Sequence, residues 1–270
     1  MLHLLKLEWL KQKDYILFKL LAIAYVVFLP AVLFIGKKLD IGKGAPFNPV
    51  EDFFHFPKIW AWLGYIGSWM SFFVLGFMAV LMVTNEFSNR TLRQNMINGL
   101  QREEFFKSKL LFMAVAALTA TLYYAFCTLV IGLLHVNDTL YFSTVFKNVD
   151  MVPRFWLMTT GYMSFGLLVG LLVKRTGIAL FLFLAYSLVI ESILRWVVHL
   201  YFFKNISMNF YPLNAMEDLA PLPVADLADG LLKQYGFRLL LTPWEAGIAT
   251  VFYTSLFLFF SYKRLKNSDL

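Results

Sequence analysis

Charge is what this sequence has least of. Asp, Glu, Lys and Arg make up 15% of its 270 residues, against roughly 25% in soluble domains. With 60% of residues hydrophobic, that shortage excludes an ordinary water-soluble domain and makes the bilayer the relevant solvent. Cysteine is nearly missing. Cys127 stands alone, so no disulfide within the chain is possible and thiols say nothing about compartment. Histidine occurs only at positions 3, 55, 135 and 199, and no His-Glu-x-x-His is present, which disfavours a metal enzyme. Gly161-Tyr162-Met163-Ser164-Phe165-Gly166 has the wrong spacing for a Gly-x-Ser-x-Gly nucleophile. A phosphate loop is lacking too. Gly36-Lys37-Lys38-Leu39-Asp40-Ile41-Gly42-Lys43-Gly44 has one residue too many between its glycines, and Gly44 stands where Ser or Thr would hold Mg²⁺. Neither catalytic residues nor metal ligands are expected on this chain.

What the sequence does have is long apolar runs. A helix needs about 20 such residues to cross roughly 30 Å of hydrocarbon. Six runs qualify, at about 16–36, 59–83, 110–134, 155–173, 178–200 and 244–262. The expected fold is an all-α integral membrane protein of six transmembrane helices in a single domain, 1–270. The first run is not expected to be a cleaved signal peptide, because its charged leader is long and no small-x-small site follows it. The last run has a defined start. In Thr242-Pro243-Trp244-Glu245, Thr takes the N-cap, Pro the first helical position and Glu the third after the cap.

Placement of the basic residues orients the chain. With both termini inside, the inner segments are 1–15, 84–109, 174–177 and 263–270. They hold thirteen of the 24 Lys and Arg in 53 residues, against nine in the 85 residues of the outer segments 37–58, 135–154 and 201–243. Both termini and the segment 85–109 are therefore expected in the cytoplasm, and Asn137 and Asn205 outside. The net charge of +7 belongs to this membrane bias, and no nucleic-acid partner is expected.

Segment 85–109, NEFSNRTLRQNMINGLQREEFFKSK, is the polar exception between two apolar runs. Thr91 to Ile97 spells a short helix of about two turns, Asn98-Gly99 a stop. Gln101-Arg102-Glu103-Glu104 opens a second helix, with its acids where the dipole favours them. A helix that short is not stable alone, so it packs on something; the plainer alternative is a solvated loop. In the fifth run Glu191, Arg195 and His199 recur every four residues, so they share a face, and Glu before Arg is the better pairing order. Intramembrane charges usually face a cavity or a partner. That patch is expected either on a substrate path or subunit seam, or as a self-satisfied Glu191–Arg195 pair. Within 201–242, the stretch 224–233 alternates apolar and acidic residues. It reads as an amphipathic interfacial helix or as a surface loop.

The polar segment also resembles a known family. Glu86, Asn89-Arg90-Thr91-Leu92-Arg93, Gly99-x-x-Arg102-Glu103 and Lys107-x-Lys109 are similar to the corresponding loop of type-2 ABC transporter permeases. Arg90 stands where that family usually has Gly, and Asn98-Gly99 where it usually has a Pro in the turn. Leu4-Leu5-Lys6-Leu7-Glu8-Trp9-Leu10-Lys11 resembles the family's N-terminal connecting helix. Lys174-Arg175-Thr176-Gly177 resembles its tight turn between the fourth and fifth spans, and Ser261-Tyr262-Lys263-Arg264 with Asp269 its C-terminal end.

The resemblance implies a permease subunit of an ATP-driven exporter in a bacterial plasma (inner) membrane. It implies a cytoplasmic coupling helix within 85–104 that docks on a separate ABC ATPase subunit, and Glu86, Arg90, Thr91, Arg93 and Arg102 as the contact. ATP and Mg would be bound by that partner and no cofactor by this chain. A second permease copy or a sister permease would complete the set, surrounded by membrane lipid. On this expectation Glu86 lies on a wet surface, free to pair with Arg90 or with a partner. The alternatives are a stand-alone secondary transporter or channel, or a membrane-embedded enzyme.

Overall fold

The computed structural model of the chain describes residues 2–36, 52–136, 142–203, 206–225, 229–230 and 238–267. Asn137, Asn205, Asp269, most of the glycine-rich stretch 36–44 and most of 224–233 lie outside the described residues. Among the described residues there are helices and no strands. We number the helices α1 (Leu2–Lys13), α2 (Ile16–Gly36), α3 (Lys58–Ser88), α4 (Thr91–Ile97), α5 (Arg102–Leu134), α6 (Phe142–Val145), α7 (Met151–Val173), α8 (Thr176–Phe203), α9 (Pro212–Glu217) and α10 (Pro243–Lys266). Six of them, α2, α3, α5, α7, α8 and α10, are long and apolar enough to cross a membrane. They match the six apolar runs but overshoot several of them. Hydropathy marks only the part of a helix that suits lipid, whereas the backbone hydrogen-bond ladder continues until a cap ends it.

The caps are legible in the sequence. Thr242 accepts the Glu245 N–H while the Glu245 side chain returns to the Thr242 N–H, a reciprocal box with Pro243 at the start of α10. Gln101 and Glu104 make the same box at the start of α5. Gly99 ends the α4 turn with φ +95°, which only glycine adopts without cost. Arg90, just before α4, has φ 56°. The position where the resembled family usually has Gly is thus one where a side chain strains the backbone, by roughly 1 kcal/mol or more.

Helices α3 and α7 form the interior, with 72% and 67% of an 18-residue apolar stretch of each buried, whereas α2 and α8 are peripheral, at 17% each by the same measure. The inner pair meets closely at Gly166 and Gly170 of α7. A Cβ at Gly166 would lie 2.6 Å from the Gly76 carbonyl oxygen, and one at Gly170 3.2 Å from that of Val80. The Gly-x-x-x-Gly spacing therefore serves backbone approach. Short α9 does not lie on the surface. Leu213, Ala215 and Met216 are buried, it packs between α7 and α10, and Met216 fills the space beside Gly161.

Two long helices are not uniformly α. The backbone widens to π geometry at Ser71–Gly76 of α3, and at Tyr186–Ile190 and Leu194–His199 of α8. Such widened turns shift the register of side chains and concentrate at functional sites.

Candidate functional site

Polar side chains gather in two places. The first is the end of the bundle that carries both chain termini. Lys109 of α5 is fully buried. Its ammonium donates to Glu8 Oε2 of α1 at 2.6 Å, to Glu86 Oε1 of α3 at 2.8 Å and to the Met82 carbonyl at 3.3 Å. Lys11 approaches the same carboxylates, at 2.8 Å from Glu86 and 3.3 Å from Glu8. Ser108 donates to Glu8 at 3.1 Å and Thr91, the first residue of α4, to Glu86 at 2.5 Å. Two carboxylates thus face two ammoniums, and the cluster cancels its own charge. Burial alone would lower the Lys11 pKa, but Glu8 and Glu86 outweigh it and hold the ammonium above its ordinary value.

This geometry corrects part of the sequence reading. Glu86 is 3% exposed and does not pair with Arg90; it is held by Lys109, Lys11 and Thr91 inside the protein. Arg102 is not on a free surface either. Its guanidinium binds the carbonyls of Leu265 and Lys266, the last turn of α10, where orphan acceptors and the helix dipole attract a cation. Thr91 is half-buried and turned inward. Of the expected contact residues only Arg90 and Arg93 are exposed. Arg90 stands just before α4 and Arg93 on it, with Ile97, 76% exposed, at its end, whereas Leu92 is buried at 2%. Helix α4 is thus anchored by one side and bare on the other.

The second place lies toward the opposite end, where α8 meets the segment 206–218. Glu191 is buried and accepts the backbone N–H groups of Leu213 (3.2 Å) and Asn214 (2.7 Å) at the start of α9. Arg195 donates to the Met208 carbonyl at 3.2 Å and reaches Asn209 Oδ1 at 3.5 Å. His199 Nε2 lies 2.9 Å from Ser207 Oγ. The three residues share a face, as their spacing requires. The expected Glu191–Arg195 ion pair does not form, because each is bound to the returning segment instead. A four-residue spacing permits a pair, but the backbone donors of α9 compete for the carboxylate and win.

A cavity of about 80 Å³ opens here. It is lined by Trp69 and Phe72 of α3, Tyr162 of α7, Glu191, Ser192 and Arg195 of α8, and Glu217 of α9. Nearby, Asp218 accepts the Leu241 N–H at 2.9 Å and the Asn214 amide at 3.2 Å. Burial, with Glu217 adding, pushes its pKa up to about 7 against the pull of those donors and Arg195. Burial also raises the Glu217 pKa. A larger cavity of about 640 Å³ lies at the far end, lined in part by Asp52, Lys58, Asp150, Arg154 and Asp218. Its charges are engaged: Lys58 with Asp52 at 2.6 Å, Arg154 with Asp150, and Asp218 as described.

Sequence reasoning missed Glu8, Lys11, Lys109, Glu217 and Asp218 as site residues. Glu217-Asp218 carried a signal, being an acidic pair inside an otherwise uncharged stretch, 206–225. Glu8 carried little, since one acid in a charged leader looks solvated.

Six membrane-length helices packed around an apolar interior define the class, a multi-pass helical membrane protein. No protein-family model matches the chain, and no curated protein matches it.

Proposed function

We propose that the chain is the membrane-spanning permease subunit of an ATP-driven ABC exporter. It would sit in the plasma membrane with both termini cytoplasmic, alongside separate ATPase subunits and a second permease, identical or sister. The observation that carries this reading is the mounting of α4. A helix of seven residues stands outside the bundle, and its root, Thr91, is tied through Glu86 to α1, α3 and α5 at once. Force applied to the bare face of α4 therefore reaches three helices through one dry cluster, which suits a coupling helix. The exposed Arg90, Arg93 and Ile97 give that face the mix of basic and apolar groups that a wet, switchable protein contact uses. The orientation rests on the basic residues that crowd the termini's end of the bundle.

Purification in mild detergent tests the proposal. The wild-type chain should retain an ATPase subunit, and Arg93→Glu should lose it while the membrane bundle stays folded. Transport by the purified chain in liposomes without any ATPase would instead favour a stand-alone transporter and overturn the reading. The orientation is tested separately. Ser88→Cys and Ser143→Cys, each with Cys127→Ala, should label from opposite sides with an impermeant thiol reagent; labelling from one side overturns it.

A further inference from the structure

We infer that the cavity between α3, α8 and α9 is a binding site for the ammonium head of an amphiphilic cation, with Glu217 as its counter-ion. Three features of different kinds meet there. The first is charge. Glu191, Glu217 and Asp218 all lie in the field of Arg195, and Arg238, itself tied to Glu245, adds only at Asp218. Glu191 is stabilised by two backbone N–H donors and Asp218 by the Leu241 N–H and Asn214. The Glu217 carboxylate makes no hydrogen bond or ion pair with a described residue, and Arg195 acts on it only through its field. A carboxylate in so sheltered a place calls for a positive partner. The second is lining. Trp69 and Phe72 present aromatic rings to the same space, and ring faces attract desolvated cations.

The third is backbone. Phe72 lies in the π-widened turn of α3, and Ser187, Leu188 and Arg195 in those of α8, with Glu191 and Ser192 between them. All three irregular turns of the long helices thus border this one cavity. Its volume, about 80 Å³, suits a small ammonium head and not a whole drug-sized molecule. Leu188 lines it and is 47% exposed on the outside of α8, so the apolar body would lie out along that helix.

The inference uses the transport reading only to say what the binding is for. It is tested without an ATPase, on the full chain in nanodiscs free of choline lipids, with radiolabelled decyltrimethylammonium as probe and empty discs subtracted. Saturable binding is expected, with decyl sulfate unable to compete. Glu217→Gln should weaken it about tenfold or more, the factor that follows from losing one charge contact of ~1.4 kcal/mol. Glu217→Asp should retain most of it. Ser192→Leu, which fills the cavity from α8, should abolish binding, and it serves as the second variant if Glu217→Gln does not fold. No saturable binding, equal binding by Glu217→Gln or by Ser192→Leu, or equal competition by decyl sulfate overturns the site. Any of these leaves the coupling proposal standing, whereas failure to retain an ATPase leaves the cation site standing.

Discussion

The two polar regions of this molecule handle buried charge in opposite ways. At the termini's end, Glu8 and Glu86 meet Lys11 and Lys109 at 2.6 to 3.3 Å and the sum is zero. In the other half, Glu191, Glu217 and Asp218 lie in the field of Arg195, with Arg238 adding only at Asp218, and two of the three carboxylates lean on backbone N–H groups. A balanced cluster is complete and acts as a fastener; nothing need bind for it to be stable. An unbalanced one is incomplete unless a proton or a cation arrives. On the proposed reading the balanced cluster would transmit force and the unbalanced one would receive a ligand, although both look like intramembrane charge.

The largest effect should come from unbalancing the fastener. Lys109→Ala leaves two buried carboxylates to the single ammonium of Lys11 and should destabilise the protein by ~3–5 kcal/mol, seen as a collapse of the detergent melting temperature. Glu86→Lys should fare as badly, since it sets a third ammonium against Lys11 and Lys109. The sequence alone led to the opposite expectation, a harmless change on a wet surface. Normal accumulation of Glu86→Lys would contradict the buried cluster.

Next comes the unbalanced region. Glu191→Ala leaves two backbone donors of α9 unsatisfied and should cost ~1–3 kcal/mol for each group left unpaired. Because Glu191 and Arg195 are bound to different groups and act on each other only through their fields, the double variant Glu191→Ala/Arg195→Ala should be less stable than either single variant. A rescue in the double variant would restore the direct ion pair.

A smaller, graded effect concerns pH. Asp218 has a folded pKa of about 7 against an ordinary 3.8. Between those values the folded state keeps a proton that the unfolded chain has lost, so stability falls as pH rises from about 4 to 7 and levels off above. The protection factors of residues 206–218, which remove the base-catalysed rise of intrinsic exchange, should therefore fall between pH 5 and pH 8, and Asp218→Asn should reduce that fall, with Glu217 contributing in the same direction. The fastener should not contribute in that window, because Lys11 is held above its ordinary, already alkaline value. The smallest effect on stability belongs to Arg93→Glu, within ~0.5 kcal/mol of wild type because the side chain is exposed. On the proposed permease reading, its consequence should appear only in retention of an ATPase subunit.

Much of the architecture follows from local chemistry. Apolar length sets the six membrane-length helices. Thr242 and Glu245 start α10, Gln101 and Glu104 start α5, and Gly99 closes the α4 turn. Gly166 and Gly170, four residues apart, bring α7 onto α3. Each of these depends on residues a turn or two apart, so it can be read in chain order. The exposure of Arg93 and the common face of Glu191, Arg195 and His199 follow in the same way.

Which partner each charge meets was decided elsewhere. Lys109 finds Glu8 across 101 residues and Lys11 finds Glu86 across 75. Glu191 turns from the arginine four residues on to backbone donors 22 and 23 residues away. Arg102 is taken up by the end of a helix more than 160 residues later. In a low-dielectric interior a charge settles with whatever compensates it best. The candidates are set by helix packing and by the return of 206–218 into the bundle, not by spacing along the chain. Sequence by itself therefore determined the helices and the faces they present; only the tertiary structure decided that Glu86 is a buried fastener and that Glu217 faces an open cavity.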